Sequence, residues 1–245
     1  MSEERTMVLT GASRGIGHAT VKLFARNGWR VLTVSRKPFD QACPWPAGAQ
    51  NHIQADLSDP ASCETLMTEV RKRIGNRGID ALVNNAGISP KLDRSQRMGV
   101  LNTDYRTWIE VFNVNLFSAA MLARGLFPEL KASGGTVINV TSIAGSRVHP
   151  FAGVAYSCSK AALAALTREM ANDFGRLGIR VNAIAPGEID TSILSPGTDA
   201  LIERLIPMGR LGGPEEVAQV IMFMCSSNSG YINGAEIHIN GGQHV

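Results

Sequence analysis

MVLTGASRGIG, residues 7–17, is the stretch that decides the fold. A short apolar run ends at Thr10, and three glycines mark the turn into a helix-forming segment. Glycine lets a backbone bend sharply and approach an anion, and the first amides of a helix are unsatisfied donors. We therefore predict a strand, a pyrophosphate-binding turn and a helix, with cofactor contacts from Gly11, Ser13, Arg14, Gly15, Ile16 and Gly17. The spacing G-x-x-x-G-x-G departs from the common G-x-G-x-x-G fingerprint, so a tight turn that binds no ligand stays an alternative.

Short runs of β-branched residues continue along the chain and alternate with helical patterns. Several of these runs are apolar on both faces, which is typical of a parallel sheet covered by helices on both sides. The predicted strands cover residues 7–10, 30–35, 52–56, 79–85, 135–142, 179–186 and 235–240. The pattern predicts an α/β fold of the Rossmann type: a single domain over 1–245, with a predominantly parallel, doubly wound seven-stranded sheet.

The helical segments have recognisable ends. In the segment 58–75, Ser58 or Asp59 can cap the first turn, Pro60 suits its start and Gly75 ends it. Long helices are expected at roughly 104–131 and 155–176. No repeat, low-complexity tract or linker divides the chain.

Composition excludes several classes of function. The 245 residues are 44% apolar and 18% charged, and a formal net charge of +3 is too small for a nucleic-acid surface. The N-terminal residues 1–10 lack the apolar centre of a signal peptide and the length of a membrane span, which predicts a cytoplasmic protein without membrane contact. Four scattered cysteines without a Cys-x-x-Cys pair predict reduced thiols and no metal site.

The end of the second strand indicates which dinucleotide binds. An NAD-preferring protein carries an acidic residue there, whereas this chain has Ser35, Arg36 and Lys37. Arg36 can pair with a 2′-phosphate, and Arg14 can reach it from the glycine turn. We therefore predict NADP as cofactor, with solvated loop charges as the alternative.

Other strand ends should line the same cleft, since ligands bind beyond the carboxyl ends of such a sheet. Asp56 and Leu57 are expected to border the adenine. Asn84 and Asn85 suit the tying of neighbouring strands, and the cofactor would pack against Asn85, Ala86 and Gly87. After strand six, Pro186 and Gly187 turn the chain, so that Ile189 and Thr191 can face the ligand.

Ser142 ends strand five, where it is either a cleft residue or a satisfied turn serine. It lacks the G-x-S-x-G context of a hydrolytic nucleophile, and His149 is the one histidine near enough in sequence to inspect as a base. Tyr156 and Lys160 lie one helical turn apart, so their polar ends share a face that is either solvated or part of a site.

These motifs, taken together, resemble the short-chain dehydrogenase/reductase family over nearly the whole chain. TGASRGIG, NNAG, the Asn115 of NVNLFS, TSIAG, YSCSK and APGEIDT follow the family's order. The C-terminal third, with PMGRLGGPEEVAQ and YINGAEIHINGG, is most similar to the 3-oxoacyl-carrier-protein reductase branch.

The resemblance implies a catalytic tetrad of Asn115, Ser142, Tyr156 and Lys160. Tyr156 would be the acid–base group, its pKa lowered by Lys160 and by the positive nicotinamide of the oxidised cofactor. Lys160 would also bond the nicotinamide ribose, Ser142 would hold the substrate oxygen, and Asn115 would keep a water in the proton path. The family also implies a homotetramer, or a homodimer, and a small-molecule carbonyl or alcohol substrate.

Departures from the family leave the substrate open. Glu188 stands at an often apolar position, and Lys91, Arg94 and Arg97 lie in a long segment after Gly87, as acid-binding groups or as solvated charges. Residues 188–212 are predicted to hold a substrate lid whose apolar side favours an apolar or acyl substrate; its residues include Ile193, Leu194, Leu201, Leu205 and Ile206. The functions that remain are a reductase of 3-oxoacyl thioesters, a polyol or sugar dehydrogenase, and a non-catalytic dinucleotide sensor.

Overall fold

The structure is a computed structural model, and it describes residues 4–40, 48–92, 96–191, 202 and 204–245. Seven parallel strands form one sheet in the order β3-β2-β1-β4-β5-β6-β7. The strands are β1 Thr6–Thr10, β2 Arg30–Ser35, β3 His52–Gln54, β4 Ala81–Asn84, β5 Thr136–Val140, β6 Arg180–Pro186 and β7 Glu236–Ile239. The predicted seven-stranded, doubly wound sheet is confirmed.

The strand order reverses between β1 and β4. β2 and β3 lie on one side of β1, and β4 to β7 lie on the other. Connections from these two strands leave in opposite directions, so their carboxyl ends open a crevice at the switch point. The glycine turn after β1 and the segment after β4 therefore lie at the place where a ligand is expected.

Helices cover both faces of the sheet, and the central strands β1, β4 and β5 are buried along their whole length. Met7 and Leu9 contribute to the core on one face and Val8 to the core on the other, and none of the three side chains is exposed. The helices are α1 Gly15–Arg26, α2 Gly48–Asn51, α3 Pro60–Ile74, α4 Tyr105–Phe112, α5 Ser118–Gly125, α6 Phe127–Ser133, α7 Val154–Gly175 and α8 Pro214–Met224. α1 and α8 pack against one face, while α3, α5 and α7 cover the other.

The ends of α3 are capped by the residue types that the sequence indicated. Asp59, rather than Ser58, accepts a hydrogen bond from the Ala61 amide at 3.0 Å. Pro60 opens the helix, and Gly75 ends it with φ +62°. Ser58 donates instead to Asp56, at 2.8 Å.

The prediction of one long helix at roughly 104–131 is wrong. The run divides into α4, a π-helical segment Asn113–Phe117, α5 and α6. Pro128 lies in the first turn of α6 and has no amide hydrogen, which favours a new helix start over continuation. The π-helical segment inserts an extra residue in the turn that carries Asn115, a distortion that is frequent at functional sites.

Some predictions lie outside the described residues. These concern Cys43, Arg94, Ile193, Leu194 and Leu201, and with them residues 192–201 and 203 of the predicted lid. No described helix combines the length and apolar character needed to cross a bilayer.

Candidate active site

One cleft of about 780 Å³ opens at the carboxyl ends of the central strands. It is lined by most of the residues predicted to form the site: Gly11, Ser13, Arg14, Gly15, Ile16, Ser35, Arg36, Asp56, Leu57, Asn85, Ala86, Gly87, Ser142, Tyr156, Lys160, Pro186, Gly187, Ile189 and Thr191. Gly17 and Asn115 do not line it and act from behind its wall. Asp56 and Leu57 follow β3, which ends at Gln54, instead of closing the strand as predicted.

The glycine turn brings backbone close to backbone. A Cβ on Gly11, which has φ +71°, would lie 2.8 Å from the Cα of Ala86. A Cβ on Gly17 would lie 2.2 Å from the carbonyl oxygen of Gly11. The N-cap residue of α1, Arg14, makes no side-chain capping bond, so the first helical amides keep their capacity to bind an anion.

Asn84 and Asn85 tie the central strands, which confirms their expected structural role. The Asn85 side chain donates to the carbonyl oxygens of Thr10 and Gly11, each at 3.0 Å. Asn84 donates to Asn139 on β5 at 2.9 Å. The Asn85 amide group is thus engaged by the turn itself, and its contribution to the cleft wall is to hold the turn in place.

The nucleotide end of the cleft has a fixed backbone and exposed guanidinium groups. Gln54 donates to the carbonyl oxygen of Arg36 at 2.9 Å, and His52 bonds that of Lys37 at the same distance. Arg14 and Arg36 are exposed, and neither forms a salt bridge within the described ranges. The pKa of Asp56 is lowered, chiefly by hydrogen bonds from Ser58, with a smaller contribution from the charge of Arg36.

Lys160 is buried beneath the cleft floor. Its side chain is only 3% exposed, and Nζ donates to the carbonyl oxygen of Val140 at 2.6 Å. Burial lowers the pKa of this ammonium to about 8. Gly87 lies beside the ammonium, since a Cβ there would be in van der Waals contact with Nζ at 3.4 Å.

Tyr156 stands over this lysine, whose Nζ lies 5.7 Å from the centre of the phenol ring. Burial raises the pKa of the phenol, a hydrogen bond with Ser142 opposes that change, and the charge of Glu188 adds to it. The lowering expected from Lys160 and the nicotinamide together concerns the cofactor-bound site and stays a prediction. Desolvation of the phenol outweighs the other contributions of the protein residues.

Ser142 and Asn115 hold the cleft wall. Ser142 Oγ accepts from the Ala144 amide at 3.2 Å, and its hydroxyl also bonds the Tyr156 phenol. Asn115 accepts from the Ile88 amide at 2.8 Å and donates to the Ile88 carbonyl and to Ser159 Oγ, each at 3.0 Å. Ser159 in turn donates to the carbonyl of Tyr156 at 2.7 Å. Asn115 thereby links the segment after β4 to the first turn of α7.

Sequence reasoning named Lys91, His149 and Glu188 but did not bring them together. His149 Nε2 lies 2.5 Å from Glu188 Oε1, with side chains 13% and 10% exposed. Lys91 is half-buried in the same wall, and its Nζ donates to the carbonyl of Phe151. The turn at Gly187 indicated that Glu188 could lie near the cleft. The contact with His149 could not be predicted, because 39 residues separate the two in the sequence.

Within the described ranges, no group of three or more His, Cys, Asp or Glu residues is placed to hold a metal ion. Cys63 and Cys225 are buried free thiols, and Cys158 is an exposed one on α7. Burial raises the pKa of Cys63 to about 11 and that of Cys225 to about 12, which makes both poor nucleophiles.

Known proteins resemble this chain along almost its whole length. The family model described as Enoyl-(Acyl carrier protein) reductase matches residues 11–244. Protein FixR of Bradyrhizobium diazoefficiens is 56% identical over 99% of this chain and 88% of its own length. The 3-oxoacyl-(acyl-carrier-protein) reductase FabG of Thermotoga maritima is 34% identical over 98% of both chains.

A solved structure shares the fold and much of the sequence. An oxidoreductase of Brucella ovis, described as a short-chain dehydrogenase/reductase in complex with a partially ordered NAD, has 55% identity and a TM-score of 0.84. The match covers 97% of this chain and 100% of that one.

Proposed function

Because the chain belongs to the short-chain dehydrogenase/reductase family of oxidoreductases, with resemblance to the FabG branch, we propose that it transfers hydride between NADPH and a carbonyl or alcohol substrate. The observation that carries the proposal is the convergence in one cleft of the glycine turn, Ser142, Tyr156 and Lys160. The decisive experiment is a screen of NADPH oxidation over acyl thioesters, ketones and sugars, with the reverse reaction run on the alcohols. Absence of turnover in both directions would contradict the proposal.

The cleft fits a dinucleotide. The uncapped start of α1 suits the pyrophosphate, and Gly11 lets the turn approach the backbone of Ala86 closely. Lys160, buried beside Gly87, has hydrogen-bond capacity left for the ribose hydroxyls. NADPH, when bound, supplies the hydride.

Tyr156 is the proton donor in this proposal. The phenol is protonated at neutral pH, and the positive charges of Lys160 and of the oxidised nicotinamide, when bound, would offset the burial that raises its pKa. Ser142, whose hydroxyl bonds the phenol, would share that bond with the substrate oxygen, and Lys160 provides the positive charge beneath the phenol. Asn115 positions the α7 turn that carries Tyr156, through Ser159.

NADP is the cofactor we propose, on the strength of Arg36 and Arg14 at the rim. An exposed guanidinium can form a bidentate pair with a 2′-phosphate, and the end of β2 has no carboxylate to repel it. NAD is the second candidate, because the Brucella ovis relative was solved with NAD. Comparing kcat/KM for NADPH and NADH separates them, and a preference for NADH would refute the NADP assignment.

A 3-oxoacyl thioester is the substrate suggested by the FabG resemblance. A polyol or sugar dehydrogenase is the second candidate, favoured by the polar wall of Lys91, His149 and Glu188. A dinucleotide sensor without catalysis would have no need for a tyrosine above a buried lysine, and the same screen tests it.

A homotetramer, or a homodimer, is the proposed assembly. Tyr105 and Ile109 lie one turn apart on α4 and remain exposed, together with Phe117 in the π-helical segment. Exposed apolar side chains that share a face favour association with a second copy. Light scattering after size exclusion gives the mass, and a monomer across the micromolar range would contradict the proposal.

A further inference from the structure

The substrate end of the cleft combines charged and polar side chains with apolar ones. Tyr156 and Ser142 mark the point where the reacting carbonyl must lie, and Lys91, His149 and Glu188 line the same cavity. Apolar residues line the cavity as well, among them Ile143, Ala144, Phe151, Ala152 and Ile189. A substrate that reaches Tyr156 therefore meets a carboxylate, an imidazole and an ammonium group with the rest of its structure.

Glu188 is held in one orientation. His149 Nδ1 accepts from the Phe151 amide at 3.3 Å, so the ring donates through Nε2 to Glu188 Oε1 in its neutral tautomer. The Glu188 amide donates to Gln243 Oε1 at 3.2 Å, and the Glu188 carbonyl accepts from the Gly212 amide at 3.0 Å. The carboxylate is thus fixed by its side chain and its backbone before any ligand binds.

One oxygen of this carboxylate has capacity to spare. Oε1 is bonded to His149, while Oε2 makes no hydrogen bond to any described residue. Oε2 is not among the described buried polar atoms that lack a partner, and Glu188 lines the cleft, so a donor on a ligand can take the place of solvent at this oxygen.

The charge of Glu188 also affects the catalytic group. It raises the pKa of Tyr156, which makes the phenolate harder to form and so works against alcohol oxidation. A donor bound to Glu188 would screen that charge at the moment when the substrate occupies the cleft. Substrate recognition and acid–base function are therefore coupled through this carboxylate.

We propose that Glu188, oriented by His149, is the specificity-determining acceptor for the substrate, and that it binds a hydroxyl or ammonium group on the part of the substrate beyond the reacting carbon. The substrate class is then small polar hydroxy or amino alcohols and the matching ketones, rather than acyl thioesters. This inference rests on the proposed oxidoreductase function.

The test compares alcohols that differ in one terminal group. At the longer spacing these are butane-1,3-diol, 4-aminobutan-2-ol and pentan-2-ol, and at the shorter spacing propane-1,2-diol, 1-aminopropan-2-ol and butan-2-ol. A 3-hydroxybutanoyl thioester completes the panel. The wild-type protein should show kcat/KM about 10- to 100-fold higher for a donor-bearing alcohol than for its methyl counterpart, the range expected for a hydrogen bond to a charged group.

Glu188→Gln should remove that preference to within about threefold, since the amide keeps the shape and loses the charge. Glu64→Gln, on the exposed side of α3, is the matched control and should keep the preference. Thermal melting and nucleotide binding by fluorescence should be alike for the three proteins, which separates a lost contact from a misfolded chain.

Each outcome bears on a different claim. If the wild-type protein turns over the methyl alcohols or the thioester best, or if Glu188→Gln keeps the donor preference, the inference fails while the oxidoreductase stands. If no alcohol is oxidised and no ketone reduced with either nucleotide, the proposed function fails and the inference falls with it. The comparison of donor-bearing and methyl alcohols uses the wild-type protein alone. The proposal can therefore be refuted even if Glu188→Gln folds poorly.

Discussion

The two ends of the cleft are built in different ways. At the nucleotide end, short continuous stretches supply the site, and the backbone of the glycine turn meets the Asn85 side chain and the backbone of Ala86. At the substrate end, Lys91, His149, Glu188 and Gln243 come from four distant places in the chain and meet through side chains. A backbone site depends on local conformation, whereas a side-chain site depends on which loops the fold brings together.

Because the two ends are built differently, they should tolerate different kinds of substitution. Replacing a residue of the glycine turn disturbs the packing of β1 against the segment after β4, because a Cβ there meets backbone. Glu188 can change its chemistry at constant shape, as in Glu188→Gln, without disturbing a strand. The nucleotide end is therefore constrained by sterics, and the substrate end by the chemistry of its ligand.

Tyr156→Phe tests the junction of the two ends and should have the largest effect. Loss of the phenolic proton should lower kcat by about 10²- to 10⁴-fold, the range typical of general acid–base groups, while nucleotide affinity is kept. Steady-state kinetics and a fluorescence titration with NADPH measure both quantities. Tyr105→Phe, at a tyrosine 79% exposed on α4, is the control. Substantial turnover by Tyr156→Phe would show that the proton comes from another group.

Gly17→Ala tests the steric constraint at the nucleotide end. The new methyl group would lie 2.2 Å from the Gly11 carbonyl oxygen, so the turn must shift. We expect the free energy of unfolding to fall by about 1–3 kcal/mol, as in other overpacked sites, and NADPH affinity to fall with it. Gly99→Ala is the matched control, since the nearest atom to its added Cβ is 3.9 Å away. Equal denaturant midpoints for the two variants would contradict the steric argument.

The same contrast explains how far sequence reasoning reached. The sheet and the glycine turn could be predicted because β-branched runs, glycines and strand ends are local signals. Tyr156 and Lys160 could be paired because helical periodicity places them on one face. Local rules also identified the cap of α3 at Ser58 or Asp59, and left only the choice between two neighbours.

The prediction failed where long-range contacts decide. Nothing in the sequence places His149 against Glu188, because that contact depends on how the segments after β5 and β6 fold over the sheet edge. The π-helical turn at Asn115 was equally hidden, since one inserted residue leaves the apolar periodicity of the helix almost unchanged. The raised pKa of Tyr156 depends on burial, which a one-turn spacing does not convey.

Arg36→Ala tests whether the exposed rim of the nucleotide end distinguishes NADPH from NADH. Loss of a charge-assisted contact should lower kcat/KM for NADPH by about 10- to 100-fold and change that for NADH little. Arg26→Ala, at the far end of α1, removes an exposed guanidinium outside the cleft and should leave the ratio unchanged. A parallel loss with both nucleotides would mean that Arg36 supports the loop instead of reading the phosphate.

The pH dependence of kcat/KM should show the smallest effect. It tests whether the ammonium of Lys160, which lies between the two ends of the cleft, is the titrating group. Burial lowers the pKa of Lys160 to about 8, so the ammonium is charged below that pH and neutral above it. The pKa of Tyr156 is raised, so the phenol keeps its proton through the same window. We therefore expect kcat/KM for NADPH-dependent reduction to fall about tenfold between pH 7 and pH 9, as one group titrates.

Lys160→Met provides the control for this assignment. Its activity should be lower throughout and flat over the same pH window, because the titrating ammonium is gone. An equal decline in the variant would assign the titration to a different group, and a flat wild-type profile would mean that the charge of Lys160 is not needed for the reaction. A decline confined to the wild-type protein would assign the titration to Lys160. This residue lies beneath Tyr156, where the nucleotide end and the substrate end of the cleft meet.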